Sequence, residues 1–265
     1  MPWFSSNGAR LYYAVDGGGG EEAVVLLHCL PADHRIWMNQ VFYLSPNFKT
    51  VALDFRGLGL SEKVVEPCTM TSLADDVNNL MNEEKIEKAI IMGVSIGGSV
   101  ALQFAVRYPE KVRALVLSGT SHNSKTPILQ NRFEGRIAGY SSADPASYYA
   151  SHLRGLFSEA YASSELGKNM IQSYIDRSGQ IDFRSIVRLF EALKENDLES
   201  SISSIKAPTL VIAGEKDQPF PTCRLIADRI SGSKFLKVVG AGHAVNMENP
   251  IQYNSALGNF LSELH

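Results

Sequence analysis

The sequence predicts an α/β fold built on a mostly parallel sheet, and three observations carry that prediction. Apolar runs of strand length alternate with helix patterns on either side of a long middle segment. Several of those runs are continuously apolar, as strands covered on both faces require. One of them ends in Gly93-Val94-Ser95-Ile96-Gly97-Gly98, where a strand turns sharply into a helix.

Taken in order, Leu11–Val15 and Ala23–Leu27 are short β-rich runs, and Gly17-Gly18-Gly19-Gly20 between them reads as a hairpin turn. Those glycines lack the Lys-Ser/Thr of a phosphate loop. A helix is expected around Ile36–Leu44, a buried strand at Val51-Ala52-Leu53, and a glycine-punctuated loop at Arg56–Ser61. Thr71–Ile86 reads as a helix that buries Leu73, Val77, Leu80 and Met81, with Thr71 or Ser72 as its cap. Ala89–Val94 is a buried strand, Gly97–Tyr108 the helix after it, and Ala114–Leu117 the next strand. The alternation stops after Ser118. From about Ser121 to Ser204 the chain is helical, polar and richer in Tyr, Ser and Arg, which reads as an insertion. Strands resume at Pro208–Ala213 and Phe235–Val239, with helices at Pro221–Ile230 and Pro250–Leu264.

Bulk composition narrows the function classes. With 265 residues, 45% hydrophobic and 20% charged, the chain can bury a large core and is neither disordered nor fibrous. A net charge of −3 offers no basic field for nucleic acid or an anionic membrane, so neither is an expected partner. Cys29, Cys68 and Cys223 are odd in number and widely spaced, which fits reduced thiols and no metal site. Met1–Asp16 lacks a basic and apolar leader pattern, and no run of about twenty apolar residues could span a bilayer. The expected location is the cytoplasm, with no cofactor, and a homodimer is allowed for.

The junction at Ser95 is the sharpest chemical signal. Small residues on both sides let the backbone turn without clashes, lifting the hydroxyl to the carboxyl end of the sheet. The helix that follows aims its first N–H groups at the same space. A serine hydroxyl needs a base, and the base needs an orienting acid. His243, in Gly240-Ala241-Gly242-His243 after an apolar strand, is the histidine in a suitable loop; His122, His152 and His265 read as surface or cap residues. For the acid, Gly214-Glu215-Lys216-Asp217 offers two carboxylates, of which Asp217 is preferred and Glu215 is the fallback. Two N–H donors are expected to form an oxyanion hole, from Leu30 in the turn His28-Cys29-Leu30-Pro31 and from Ile96. His28 is expected to brace that turn by hydrogen bonds.

Together these segments resemble the α/β-hydrolase superfamily over nearly the whole chain. Its His-Gly-x-Pro turn corresponds to His28–Pro31, its Asp-x-Arg-Gly-x-Gly-x-Ser segment to Asp54–Ser61, its nucleophile elbow to Ser95, and its acid and histidine loops to Asp217 and His243. Cys29 stands where the family usually has glycine. The resemblance implies an α/β-hydrolase fold, with an eight-stranded sheet flanked by helices. It also implies a core domain of residues 1–120 and 205–265, with a helical cap of residues 121–204 after the sixth strand. It implies a structural role for Asp54 and Arg56 as a pair near the sheet edge. Asp33-His34-Arg35-Ile36-Trp37 and Asn131–Arg136 are further similar to 3-oxoadipate enol-lactonases.

The expected reaction is hydrolysis of a small ester or lactone through an acyl-enzyme. Carbon–carbon bond hydrolysis, perhydrolysis, and ligand reception without turnover are the alternatives. Pocket walls are expected from Cys29, Trp37, Arg132, Phe133, Arg136 and Phe157, with Tyr140 as a further apolar wall. One or two of Arg132, Arg136, Arg154, Arg184 and Arg188 facing inward would hold a substrate carboxylate.

Overall fold

The computed structural model describes every residue except Met1, Gly19, Glu21, Val64, Val65 and His265. His265 and the third glycine of the 17–20 turn therefore lie outside the described residues. Eight strands form one sheet: β1 (Trp3–Ser6), β2 (Ala9–Asp16), β3 (Ala23–Leu27), β4 (Lys49–Leu53), β5 (Ala89–Val94), β6 (Val112–Ser118), β7 (Thr209–Gly214) and β8 (Lys234–Val238). Their spatial order is β1-β2-β4-β3-β5-β6-β7-β8. β2 is antiparallel to β1 and β4, and every other pairing is parallel. This is the α/β-hydrolase fold that the sequence predicts.

Burial follows the apolar runs. β3, β5 and β7 are buried at every position, whereas β2 alternates over much of its length and the edge strand β8 exposes Lys234 and Lys237. Helix α1 (Met38–Leu44) follows β3, α2 (Met70–Glu83) follows β4, and α3 (Ile96–Arg107) follows β5. Five helices then separate β6 from β7: α4 (Pro127–Tyr140), α5 (Pro145–Arg154), α6 (Glu159–Ser163), α7 (Glu165–Ile175) and α8 (Phe183–Lys194). The sheet resumes with β7, α9 (Phe220–Arg229) and β8, and the chain closes with α10 (Val245–Glu248) and α11 (Pro250–Ser262).

Two local expectations are corrected. Gly17–Gly20 does not close a hairpin, because β2 and β3 are separated by β4. The hairpin joins β1 to β2 through Asn7-Gly8, both at positive φ (46° and 80°), the two-residue turn whose twist suits antiparallel strands. The cap of α2 is Thr69, whose side chain accepts from Ser72 N while Ser72 Oγ accepts from Thr69 N, so Ser72 is the third helical residue.

The sheet order places the functional loops. The chain leaves β3 towards β4 on one side, then returns to form β5 on the other. The turns after β3 and β5 therefore diverge at the carboxyl edge and open a crevice between them.

Candidate active site

Ser95 sits between β5 and α3 at φ 58° and ψ −120°, a conformation that a side chain rarely adopts. The small neighbours explain how the turn closes. A Cβ on Gly93 would fall 2.3 Å from Gly97 O, and one on Gly97 would fall 2.1 Å from Leu27 O. Ser95 N donates to Ser118 O at 2.8 Å, and Thr120 Oγ1 donates to Ser95 O at 2.7 Å, so β6 pins the turn from one side. Ile96 is the first residue of α3, where N–H groups have no acceptor within the helix.

The acid and histidine loops leave neighbouring strands and are laced together. Glu215 N donates to Val238 O and Lys216 N to Ala241 O, both at 2.9 Å. The loops approach so closely that a Cβ on Gly214 would lie 2.1 Å from Gly242 O. This packing brings His243 Nδ1 to 2.8 Å from Asp217 Oδ1, with both side chains almost wholly buried. A carboxylate can only accept, so Nδ1 carries the proton and Nε2 of a neutral ring keeps its lone pair. Glu215 is turned away, on Lys237 Nζ and Gly240 N. Asp217 Oδ2 is sealed with no hydrogen-bond partner among the described residues.

Ser95 and His243 line one cavity, with Leu30, Gly119, Thr120, Pro219 and side chains from α4, α5 and α8. No hydrogen bond joins Ser95 to His243 among the described residues, and such bonds are commonly loose before substrate binds. The cavity holds about 40 Å³, and a second one of about 190 Å³ adjoins it, sharing Arg132, Arg136 and His243.

The turn after β3 is braced by His28. His28 Nδ1 lies 2.9 Å from Cys29 O, and Nε2 accepts from Phe55 N at 3.0 Å. Nδ1 is therefore the protonated nitrogen, and complete burial holds the ring's pKa below the ordinary histidine value. Leu30 reaches the cavity. Cys29 does not: it is fully buried, and burial pushes its thiol up to about 12, away from the thiolate form.

Of the other expected pocket residues, Arg132, Phe133 and Arg136 face the Ser95 cavity, and Phe157 lines the adjoining one. Trp37 lies in neither cavity; it is wholly buried and packs edge-on to Tyr253, 6.4 Å away between ring centroids. Arg154, Arg184 and Arg188 pair with Glu159, Asp182 and Glu191. Arg132 and Arg136 form no ion pair among the described residues, and burial, followed by the charge of Arg136, holds Arg132 below the ordinary arginine value. Both guanidinium groups are half-buried, and cations partly withdrawn from water without a counter-ion make this wall favourable to an anion.

Asp54 and Arg56 do not pair with each other. Arg56 binds Asp76 through Nε and Nη2, both at 2.6 Å, while Asp54 accepts from His34 and Leu60. His122 and His152 are not surface residues: both are buried, on Glu199 and Tyr140 respectively. His152 lines the Ser95 cavity and was missed because its helix carries no motif and burial depends on which face packs inward.

The family profile of the alpha/beta hydrolase fold matches residues 22–250. The chain is 27% identical over 262 residues to 3-oxoadipate enol-lactonase 1 of Acinetobacter baylyi, covering 97% of this chain and 95% of that one. It is 28% identical to a putative carbamate hydrolase of Caulobacter sp. strain K31, covering 95% and 96%. The crystal structure of the enol-lactonase from Burkholderia xenovorans LB400 superposes with a TM-score of 0.90 at 27% identity, over 98% of this chain and all of that one. Strand order, strained serine turn and family profile agree, and the chain belongs to the alpha/beta hydrolase fold family.

Proposed function

We propose that the protein is a serine hydrolase that cleaves a small carboxylic ester or lactone through an acyl-enzyme. The observation that carries the reading is the buried His243–Asp217 pair, 2.8 Å apart, whose imidazole opens onto the cavity lined by a serine at positive φ. Ser95 Oγ attacks the substrate carbonyl as His243 Nε2 takes its proton, and Asp217 holds the imidazole in the right tautomer. The N–H groups of Leu30 and Ile96 receive the oxyanion. His243 returns the proton to the departing oxygen, and water then attacks the acyl-Ser95 ester with His243 again as base, releasing the acid.

In this reading residues 121–204 form a cap over the site, carried by a core of residues 1–120 and 205–265. Arg132 and Arg136 hold a carboxylate on the substrate, since no acidic partner neutralises them among the described residues. The relatives named as enol-lactonase and carbamate hydrolase support attack at an acyl carbon. No described helix is long and apolar enough to cross a membrane; the substrate is a small molecule and the proposed location is the cytoplasm.

The test is a panel of short p-nitrophenyl esters, methyl esters and lactones, run on wild type and Ser95→Ala together with fluorophosphonate labelling. Turnover and labelling that vanish together in Ser95→Ala support the reading. Equal hydrolysis by both proteins ends it, and preferential turnover of dienone ring-fission products would move the chemistry to carbon–carbon cleavage.

A further inference from the structure

The helical wall opposite Ser95 carries one polar group beyond the two arginines. His152, on α5, lines the cavity together with Ser95, His243, Arg132 and Arg136. Its ring is wedged among Tyr140, Tyr148 and Phe190, at 5.8, 6.5 and 5.9 Å between centroids, so its orientation is set by packing. Nδ1 lies 2.7 Å from the hydroxyl of Tyr140. That hydroxyl has no other hydrogen-bond partner among the described residues, and its ring stacks between Phe183 and Phe190. Nε2 has no partner there either. Unlike His122 Nδ1, it is not among the sealed unpartnered atoms, and the residue that carries it lines the cavity.

The proton count then decides the tautomer. A buried phenol keeps its proton, and burial raises Tyr140 well above the usual tyrosine range. With His152 Nδ1 as its acceptor, the hydroxyl is satisfied and Nε2 carries the ring's proton. The reverse arrangement would leave the phenol proton buried with no acceptor, a penalty that folded proteins avoid. The ring is also held neutral, by burial first and then by the charges of the neighbouring arginines Arg136 and Arg132. It therefore enters the cavity as a fixed donor without a charge.

We propose that His152, set in its Nε2–H tautomer by Tyr140, is a specificity residue that donates a hydrogen bond to an oxygen of the substrate. With Arg132 and Arg136 it makes every polar group of the helical wall a donor, set among Leu129, Phe133, Phe190 and Leu193. A substrate whose far end carries oxygen acceptors fits that wall, and one ending in alkyl leaves those donors unused. Sites built to bond a substrate group reject the analogue that lacks it more strongly than sites that only fill space. Tyr140 is a positioning residue, acting through the tautomer of His152. The inference rests on Ser95 being the reacting centre.

The test uses a matched pair of esters, mono-p-nitrophenyl glutarate and p-nitrophenyl pentanoate, which share a five-carbon acyl chain and differ in a terminal carboxylate. Calorimetric binding of glutarate is measured alongside, so that one readout does not need turnover. Wild type should prefer the glutarate ester, and His152→Phe should shrink the ratio of the two kcat/KM values about tenfold and weaken glutarate binding by a similar factor. Tyr140→Phe, which keeps the imidazole, should lose part of that preference. Nitrogen-15 spectra should show Nε2 protonated in wild type and a mixture of tautomers in Tyr140→Phe. An unchanged ratio in His152→Phe, absence of glutarate binding to wild type, or a wild-type spectrum with Nδ1 protonated would each overturn the proposal. Full hydrolysis by Ser95→Ala would instead remove the catalytic reading, leaving glutarate binding and the tautomer to decide the role of His152.

Discussion

Two histidine–aspartate pairs sit at the carboxyl edge of this sheet, and their bond lengths do not tell them apart. His243 Nδ1 lies 2.8 Å from Asp217 Oδ1, and His34 Nδ1 lies 2.8 Å from Asp54 Oδ1. What differs is everything around the bond. Asp54 is saturated: it also accepts from His34 N at 2.8 Å and Leu60 N at 2.9 Å, and a Cβ on Gly59 would fall 2.1 Å from its Oδ2. That carboxylate is a staple holding the loops after β3 and β4. Asp217 has one listener, His243, and its other oxygen is unpartnered among the described residues. His34 opens onto a cavity of about 230 Å³ lined by no serine among the described residues, whereas His243 shares its cavity with Ser95. The comparison teaches that two pairs with the same bond length differ in what surrounds the carboxylate and in what faces the far side of the imidazole.

The largest expected effect breaks or upholds that distinction directly. His243→Ala should lower kcat/KM for a short ester about 10⁴-fold or more, while His34→Ala should stay within about threefold of wild type. Comparable losses in the two variants would erase the difference argued between them. The aspartates should part in the same way. Asp217→Asn should cost about 10⁴-fold in turnover by disturbing the tautomer of His243. Asp54→Asn should act on stability, by about 2–3 kcal/mol in urea denaturation, because an amide cannot accept from all three donors. A stable Asp54→Asn protein would show the staple to be dispensable.

A smaller effect concerns the serine that only one of the pairs faces. Ser95→Gly should abolish turnover and yet raise unfolding stability by about 1 kcal/mol, since glycine tolerates φ 58°. Loss of stability in that variant would mean that the turn stores no strain. The smallest effect is electrostatic. Burial opposes the charged form of His34, but its hydrogen bond to Asp54 and the charge of that carboxylate outweigh it, so the folded ring binds its proton more tightly than the unfolded one. That contribution is fully present below the unfolded histidine value near pH 6.5 and is lost as pH rises through the raised folded value. The gap in unfolding free energy between wild type and His34→Asn, read by urea denaturation, should therefore be wider at pH 6 than at pH 9, by under about 1 kcal/mol for a partly exposed pair. A gap that widens towards alkaline pH would reverse the assignment.

Those two pairs were not equally legible in the sequence. Asp217 follows a continuously apolar strand and His243 a strand of mixed polarity, in the order after Ser95 expected on this fold, and small residues mark each loop. His34 and Asp54 lie in segments that resemble family motifs, but that resemblance pairs Asp54 with Arg56. Nothing local says that Arg56 reaches across to Asp76 on α2.

What the sequence determined by itself is whatever short-range physics dictates: apolar runs long enough only for strands, helix periods between them, and glycines where a Cβ would strike backbone, as at Gly93 and Gly97. Even the Asn7-Gly8 hairpin is written locally, in two residues that accept positive φ. Only the tertiary structure decided which strand lies beside which, so β4 separates β2 from β3 and the glycine turn closes no hairpin. It likewise decided which helical faces turn inward, burying Trp37 away from the cavity while presenting Arg132, Arg136 and His152 to Ser95. Pairing order and facing are set by the burial of the whole sheet and its covering helices, a sum over distant contacts that no stretch of neighbouring residues contains.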